Sequence, residues 1–180
     1  LTGAPAEHMF DGTFYGCSNL TGSIPQNLFG NMTGAPRKYM FESTFDGCSG
    51  LTGEIPSRLF GRITGTPATH MFYRTFWHCS GLTGNIPNNL FENISGTPAT
   101  SMFTNTFNGC SALSGFGGAL FSGISGQPAT GMFTGTFANC SGLTGEIPTG
   151  MFGSIDGTPE ASMFYATFSG CSGLTGTIPS

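Results

Sequence analysis

The sequence predicts an α/β solenoid: six coils of 30–31 residues, each a helix plus a short strand in a narrow parallel sheet. Three observations predict it. The six cysteines, at 17, 48, 79, 110, 140 and 171, sit in near-identical text at intervals of 31, 31, 31, 30 and 31 residues. Each copy carries an apolar stripe of helical character. Each then runs into a short apolar stretch of the form Leu-Thr-Gly-x-Ile-Pro. Self-similarity at a period of roughly 20–50 residues marks a repeat architecture, in which one unit cannot bury its apolar face without its neighbours.

The consensus reads I-[TS]-G-x-P-x-x-x-M-F-x-x-T-F-x-x-C-S-x-L-T-G-x-I-P-x-x-L-F-x-x. The copies run 1–31, 32–62, 63–93, 94–123, 124–154 and 155–180, the last one partial. The fourth has lost one residue and its second proline across Leu113–Leu120. Neither end reads as a polar capping repeat, so the expectation is a piece of a longer array.

Copy three shows the expected elements. Gly65-Thr66-Pro67 reads as a helix start, with Thr66 as N-cap and Pro67 at the first helical position. Met71, Phe72, Thr75, Phe76 and Cys79 recur at i, i+1, i+4, i+5 and i+8, read as one face of a helix of about 12 residues. Ser80-Gly81 closes it. Leu82–Ile86 reads as a strand with Leu82 and Ile86 on one side, and Pro87 opens a further turn carrying Leu90, Phe91 and Ile94. Stacked coils would place equivalent strands ~4.8 Å apart and align ladders of Phe, Met and Cys.

Composition narrows the function. Thirty Gly, eleven Pro and 8 % charged residues depart from an ordinary soluble domain, and valine is absent. A net charge of −4 built from so few charges leaves no basic footprint, so no nucleic-acid partner is expected. No apolar run approaches the ~20 residues of a membrane span.

Leu51-Thr-Gly-Glu-Ile-Pro56 resembles the L-T-G-x-I-P segment of plant-type leucine-rich repeats. Thr44-Phe-x-x-Cys48-Ser-x-Leu51-Thr resembles the A-F-x-x-C-x-x-L-T run of bacterial BspA-like repeats, and Met40-Phe41 upstream is similar to the M-F-x-x-C-x-x-L repeats of bacterial surface proteins. The likeness covers about half the positions in each copy. The period departs from it, at 31 residues against roughly 23–26. What the resemblance implies is a secreted or cell-surface bacterial repeat protein used for adhesion or recognition.

Candidate chemistry is sparse. All six cysteines hold one position in the repeat, so neighbouring Cβ atoms would lie near 4.8 Å apart, against the ~3.8 Å a disulfide prefers. The expectation is buried free thiols, no disulfides and no metal site. His70 and His78, eight residues apart on the predicted helix, would lie ~12 Å apart along its axis, too far to share a metal. The carboxylates are scattered singly, so no catalytic residue, enzyme activity or cofactor is expected.

The copies differ most on the face of the predicted helix opposite the core. In copy three that face holds His70, Tyr73, Arg74, Trp77 and His78, and Tyr39 of copy two precedes His70 in the same column. Tyr, Trp, Ser, Gly, Asn and Arg recur there, a vocabulary shared with recognition surfaces. Tyr39, His70, Tyr73, Arg74, Trp77 and His78 are therefore the candidate binding residues. The expected function is non-enzymatic recognition of an extracellular protein or glycan ligand. The alternative is a structural fibre or surface-layer segment that self-associates along the repeat axis.

Overall fold

The computed structural model describes residues 2–29 and 31–178. It overturns the helices: none of the described residues is helical. The leucine-rich-repeat solenoid of helix plus strand is therefore not the fold. The stretches read as helices are chains of consecutive tight turns.

Copy three shows how such a chain is held. The N–H groups of Met71, Tyr73, Thr75, Trp77 and Cys79 donate to the carbonyls three residues back, at 3.1–3.3 Å. The N–H groups between them belong to His70, Phe72, Arg74, Phe76 and His78. They donate instead to Thr100, Met102, Thr104, Thr106 and Asn108 of the next copy, at 2.8–3.1 Å. Carbonyls alternate the same way, those of Met71, Tyr73, Thr75 and Trp77 accepting from copy two. Backbone groups left unpaired in a buried segment cost free energy. This ribbon of turns pairs nearly all of them, half locally and half across the repeat.

The ribbon needs a positive φ at every fourth residue. In copy three these are His70 at 54°, Arg74 at 54° and His78 at 55°. Each is the third residue of a hydrogen-bonded turn, the position that is left-handed in a type II turn. The equivalent positions elsewhere hold Gly12 and Gly16, Asn105 and Gly109, Gly135 and Asn139, Ala166 and Gly170, all at positive φ. The apolar pattern accordingly repeats at four residues. An α-helix would carry it round by about 40° per four-residue step; the ribbon keeps it on one side.

The expected continuous narrow sheet is also absent. Three short parallel sheets occur among the described residues. Strands β1 (Thr2–Gly3) and β2 (Asn31–Met32) form one; β3 (Gly53–Glu54), β4 (Leu82–Ile86) and β5 (Leu113–Phe116) form the second; β6 (Ser125–Gly126) and β7 (Ser154–Ile155) form the third. Isolated parallel bridges such as Gly22↔Leu51 and Gly145↔Leu174 continue the β3–β5 side. The pairings of β1–β2 and β6–β7, with bridges Gly34↔Ile63, Gly65↔Ile94 and Gly96↔Ile124, make a second parallel line. It falls on the I-[TS]-G text that had read as a helix start. In copy four, shorter by one residue, the pairing is irregular: the register shifts between Gly84 and Asn85, leaving Ser114 of β5 unpaired with β4, and Ile86 pairs with Phe116.

Between these edges lies the core. Phe10, 41, 72, 103, 133 and 164 stack in one column with ring centroids 5.3–5.7 Å apart. Phe14, 45, 76, 107, 137 and 168 stack in a second at 5.3–5.6 Å. Phe29, 60, 91, 121 and 152 form a third, tilted 44–70° against the first. Stacked within a column and tilted between columns, the rings satisfy both geometries that aromatic quadrupoles favour. Phe116, the remaining phenylalanine, meets Phe137 edge-on.

Two polar columns run through this core. Thr44, Thr75, Thr106, Thr136 and Thr167 donate their hydroxyls to carbonyls of Phe10, Phe41, Phe72, Phe103 and Phe133 in the preceding copy, at 2.8–2.9 Å. Cys48, Cys79, Cys110, Cys140 and Cys171 donate their thiols to Phe14, Phe45, Phe76, Phe107 and Phe137 in the same sense, at 2.9–3.1 Å. Cysteine acts here as a small donor that clasps two repeats. All six cysteines are free. Cys48, Cys79, Cys110 and Cys140 are buried, while Cys17 in the first copy is exposed. Gly81 follows the clasp because the chain passes there within contact of Leu51 and Ser49 carbonyl oxygens, leaving no room for a Cβ.

Candidate functional site

The ribbon determines which side chains leave the core. Positions following the four-residue period split cleanly: Met71, Phe72, Thr75, Phe76 and Cys79 are buried, and Tyr73, Arg74 and Trp77 are half-buried on the other side with His78 exposed beside them. Because neighbouring copies are in parallel register, equivalent outward residues line up as columns. His8, Tyr39 and His70 are one column. Asp46 and Trp77 belong to another.

All six candidate residues lie on this face and touch in sequence. His8 stacks on Tyr39 at 4.5 Å and Tyr39 meets His70 edge-on at 5.2 Å. His70 stacks on Tyr73 at 4.9 Å. The Arg74 guanidinium carbon lies 5.2 Å from the Tyr73 ring centre and 4.2 Å from that of Trp77, and Trp77 stacks on His78 at 4.2 Å. The face is thus a continuous strip of aromatic and cationic groups across copies one to three. A guanidinium over an indole contributes ~0.5–1 kcal/mol at an exposed site, so the strip is partly self-assembled.

Two carboxylates belong to the strip and were not among the candidates. Glu42 Oε2 lies 3.3 Å from His70 Nδ1. Burial raises the Glu42 carboxyl above the usual range, and the adjacent His70 works against that shift. Burial likewise raises Asp46, countered by the Arg74 and His78 charges. Glu42 Oε2, Asp46 Oδ2, His70 Nδ1, Arg74 Nε and Trp77 Nε1 are buried polar atoms without a hydrogen-bond partner. Glu42 Oε2 and His70 Nδ1 therefore face each other without an aligned hydrogen bond. All five atoms are covered by their neighbours in the strip, so a ligand would reach them only after the side chains move. The signal for Glu42 and Asp46 was present in the sequence, in the same columns as Tyr73 and Trp77.

Part of the variable vocabulary has another cause. The columns of His70, Arg74 and His78 are those with positive φ, which explains their Gly, Asn and Ser without any ligand. The columns of Tyr73 and Trp77 carry no such constraint. The variation there, from Asp11 to Tyr165 and from Tyr15 to Ser169, is free of the backbone.

The principal surface hollows lie elsewhere. One of about 410 Å³ is lined by Gln26, Asn27, Arg58, Arg62 and Glu92 among others. Apolar hollows open at the first and last copies, around Phe14 and Leu20 and around Phe152, Phe164 and Phe168. Among the described residues no three His, Cys, Asp or Glu side chains come together as a metal site, and no helix is long and apolar enough to cross a membrane. No protein-family model matches the chain, and no curated protein or solved structure is similar to it at a significant level.

Proposed function

We propose that the protein is a non-enzymatic binding module outside the cell, recognising a protein or glycan through the strip formed by Tyr39, His70, Tyr73, Arg74, Trp77 and His78 with Glu42 and Asp46. The observation that carries this reading is the continuous strip of aromatic and cationic groups on one face, from His8 to His78. Aromatic rings offer a sugar a stacking face, and together with Arg74 offer a peptide an aromatic–arginine anchor. The strip is an open face and not a cavity, which favours an extended ligand over a small molecule.

Trp77 is the chain's one tryptophan, so its fluorescence reports the strip alone. Arrayed glycans and extracellular proteins identify a ligand, and titration of that ligand changes the Trp77 emission. Trp77→Ala weakens binding by at least ~30-fold, the equivalent of the ~2 kcal/mol hot-spot threshold, and Asn108→Ala in the same column leaves it unchanged. A ligand that binds both variants as tightly as the parent chain overturns the reading.

A further inference from the structure

Four of the five Lys and Arg residues lie in copy two, as Arg37, Lys38, Arg58 and Arg62. Arg58 and Arg62 line one hollow of about 410 Å³. The local turns put them there. The Leu59 N–H donates to the Pro56 carbonyl at 3.1 Å, the Gly61 N–H to Arg58 at 3.1 Å and the Ile63 N–H to Phe60 at 3.0 Å. Leu59, Phe60 and Ile63 are buried, which leaves Arg58 and Arg62 exposed on the outer side of the same turns. The Asn93 amide donates to the Gly61 carbonyl at 2.8 Å and ties copy three to this wall of the hollow.

Neither arginine has a carboxylate partner among the described residues. Glu92 lines the same hollow without pairing with either. Two guanidiniums against one carboxylate leave a net positive charge there, in a chain whose net charge is −4. A guanidinium presents five N–H donors in a fork that matches an oxyanion. The volume exceeds what a bare ion needs and falls within the range of about 300–1,000 Å³ usual for small-molecule sites.

The rest of the lining decides what carries the anion. Phe29 and Phe60 contribute to it at only 4 % and 2 % exposure, so no ring face is offered to a nucleotide base or to an apolar peptide side chain. Gln26, Asn27 and Asn93 bring amides instead, which both give and take hydrogen bonds with hydroxyl groups. We propose that this hollow binds one acidic sugar unit of a polysaccharide, Arg58 and Arg62 holding its carboxylate or sulfate and the amides its hydroxyls. No residue of the hollow belongs to the recognition strip, so the two readings stand apart.

Calorimetric titration with three oligosaccharides of equal length tests this: a galacturonate oligomer, a sulfated dextran oligomer and a neutral dextran oligomer. The expected result is binding of at least one charged oligomer and not of the neutral one, weakening as salt is raised. Arg58→Gln and Arg62→Gln each reduce the affinity about tenfold, the loss of one charge-assisted contact. Both leave the melting temperature unchanged, because the side chains are exposed. The double variant Arg37→Gln, Lys38→Gln removes charge from the same copy outside the hollow and leaves the affinity nearly unchanged. Trp77→Ala leaves it unchanged as well, so failure of this site and failure of the strip are separate results. The proposal is overturned if neither charged oligomer binds at millimolar concentration, or if the neutral oligomer binds as tightly. It is equally overturned if the Arg37 and Lys38 double variant loses as much affinity as Arg58→Gln, or if inorganic sulfate alone binds as tightly as the charged oligomers.

Discussion

The two long sides of each repeat hold their neighbours by different means. On the Leu-Thr-Gly side, pairing is short: β4 and β5 are the longest strands, β3 pairs through two residues, and single bridges such as Gly22↔Leu51 and Gly145↔Leu174 continue the line. On the ribbon side, every internal copy donates five backbone hydrogen bonds to the next and receives five, with a threonine and a cysteine clasp added. The side whose sequence has the least β character thus carries most of the inter-repeat hydrogen bonding. Parallel association here depends on alternate N–H groups pointing along the stack, which a chain of turns provides as well as a strand does.

Alkaline pH is expected to open the ribbon side first and with the largest effect. Burial pushes the Cys48 thiol up to about 11 and Cys140 up to about 12, and raises Cys79 and Cys110 as well. Unfolded thiols ionise near pH ~8.5. Stability is complete below that value and falls as pH rises from it toward the folded pKa, by ~1.4 kcal/mol per pH unit for each buried thiol. Denaturant midpoints should therefore drop steeply from about pH 8.5 to 11. Cys110→Ser keeps a donor, loses the ionisation and should flatten the slope by one proton. A flat profile would mean that the thiols are not buried between the copies.

Phe76→Ala should cost ~3–5 kcal/mol through the cavity it leaves in the second phenylalanine column. Trp77→Ala, one residue on, should cost only about 1 kcal/mol, chiefly the Arg74 and His78 contacts. Urea unfolding measures both, and equal losses would contradict the assigned faces.

A smaller pair compares the two sides directly. Thr75→Val removes the hydroxyl that donates to Phe41 O at 2.9 Å and should cost about 1 kcal/mol. Thr83→Val on the exposed face of β4 should stay within ~0.5 kcal/mol of zero. The same denaturation experiment reads both, and the reverse order would place the clasp on the wrong side.

The faces of this protein were legible in its sequence, and the backbone that presents them was not. Met71, Phe72, Thr75, Phe76 and Cys79 fall on one side whether the period is 3.6 or four residues, because a run of nine residues is too short for the two to separate. Phe76 was therefore placed inward and Trp77 outward through a helix that does not exist. The distinguishing signal was the Gly, Asn and Ser at four-residue spacing, as in Gly12 and Gly16 or Asn105 and Gly109. It had been attributed to a recognition surface, and positive φ accounts for it. Gly65-Thr66-Pro67 satisfied the rules for a helix start while its glycine served a parallel bridge to Ile94. The cysteine and threonine clasps depend on which carbonyls remain open between copies, and that is settled only once the repeats are stacked. Of the strip, the aromatic and arginine members stood out by residue type. Glu42 and Asp46 did not, because single carboxylates on a surface are ordinary until a neighbouring copy covers them.

Gly12→Ala tests the ribbon of turns most directly. Gly12 has φ +57°, and a Cβ built on it would meet nothing closer than the Tyr15 Cβ at 3.8 Å, so the substitution probes backbone conformation alone. In a helix it would raise stability by ~0.5–1 kcal/mol. In the ribbon it forces an L-residue into the left-handed region, at ~1–2 kcal/mol. Urea unfolding of the two proteins is expected to show a lower midpoint for the alanine variant; a higher midpoint would contradict the ribbon and restore the helix.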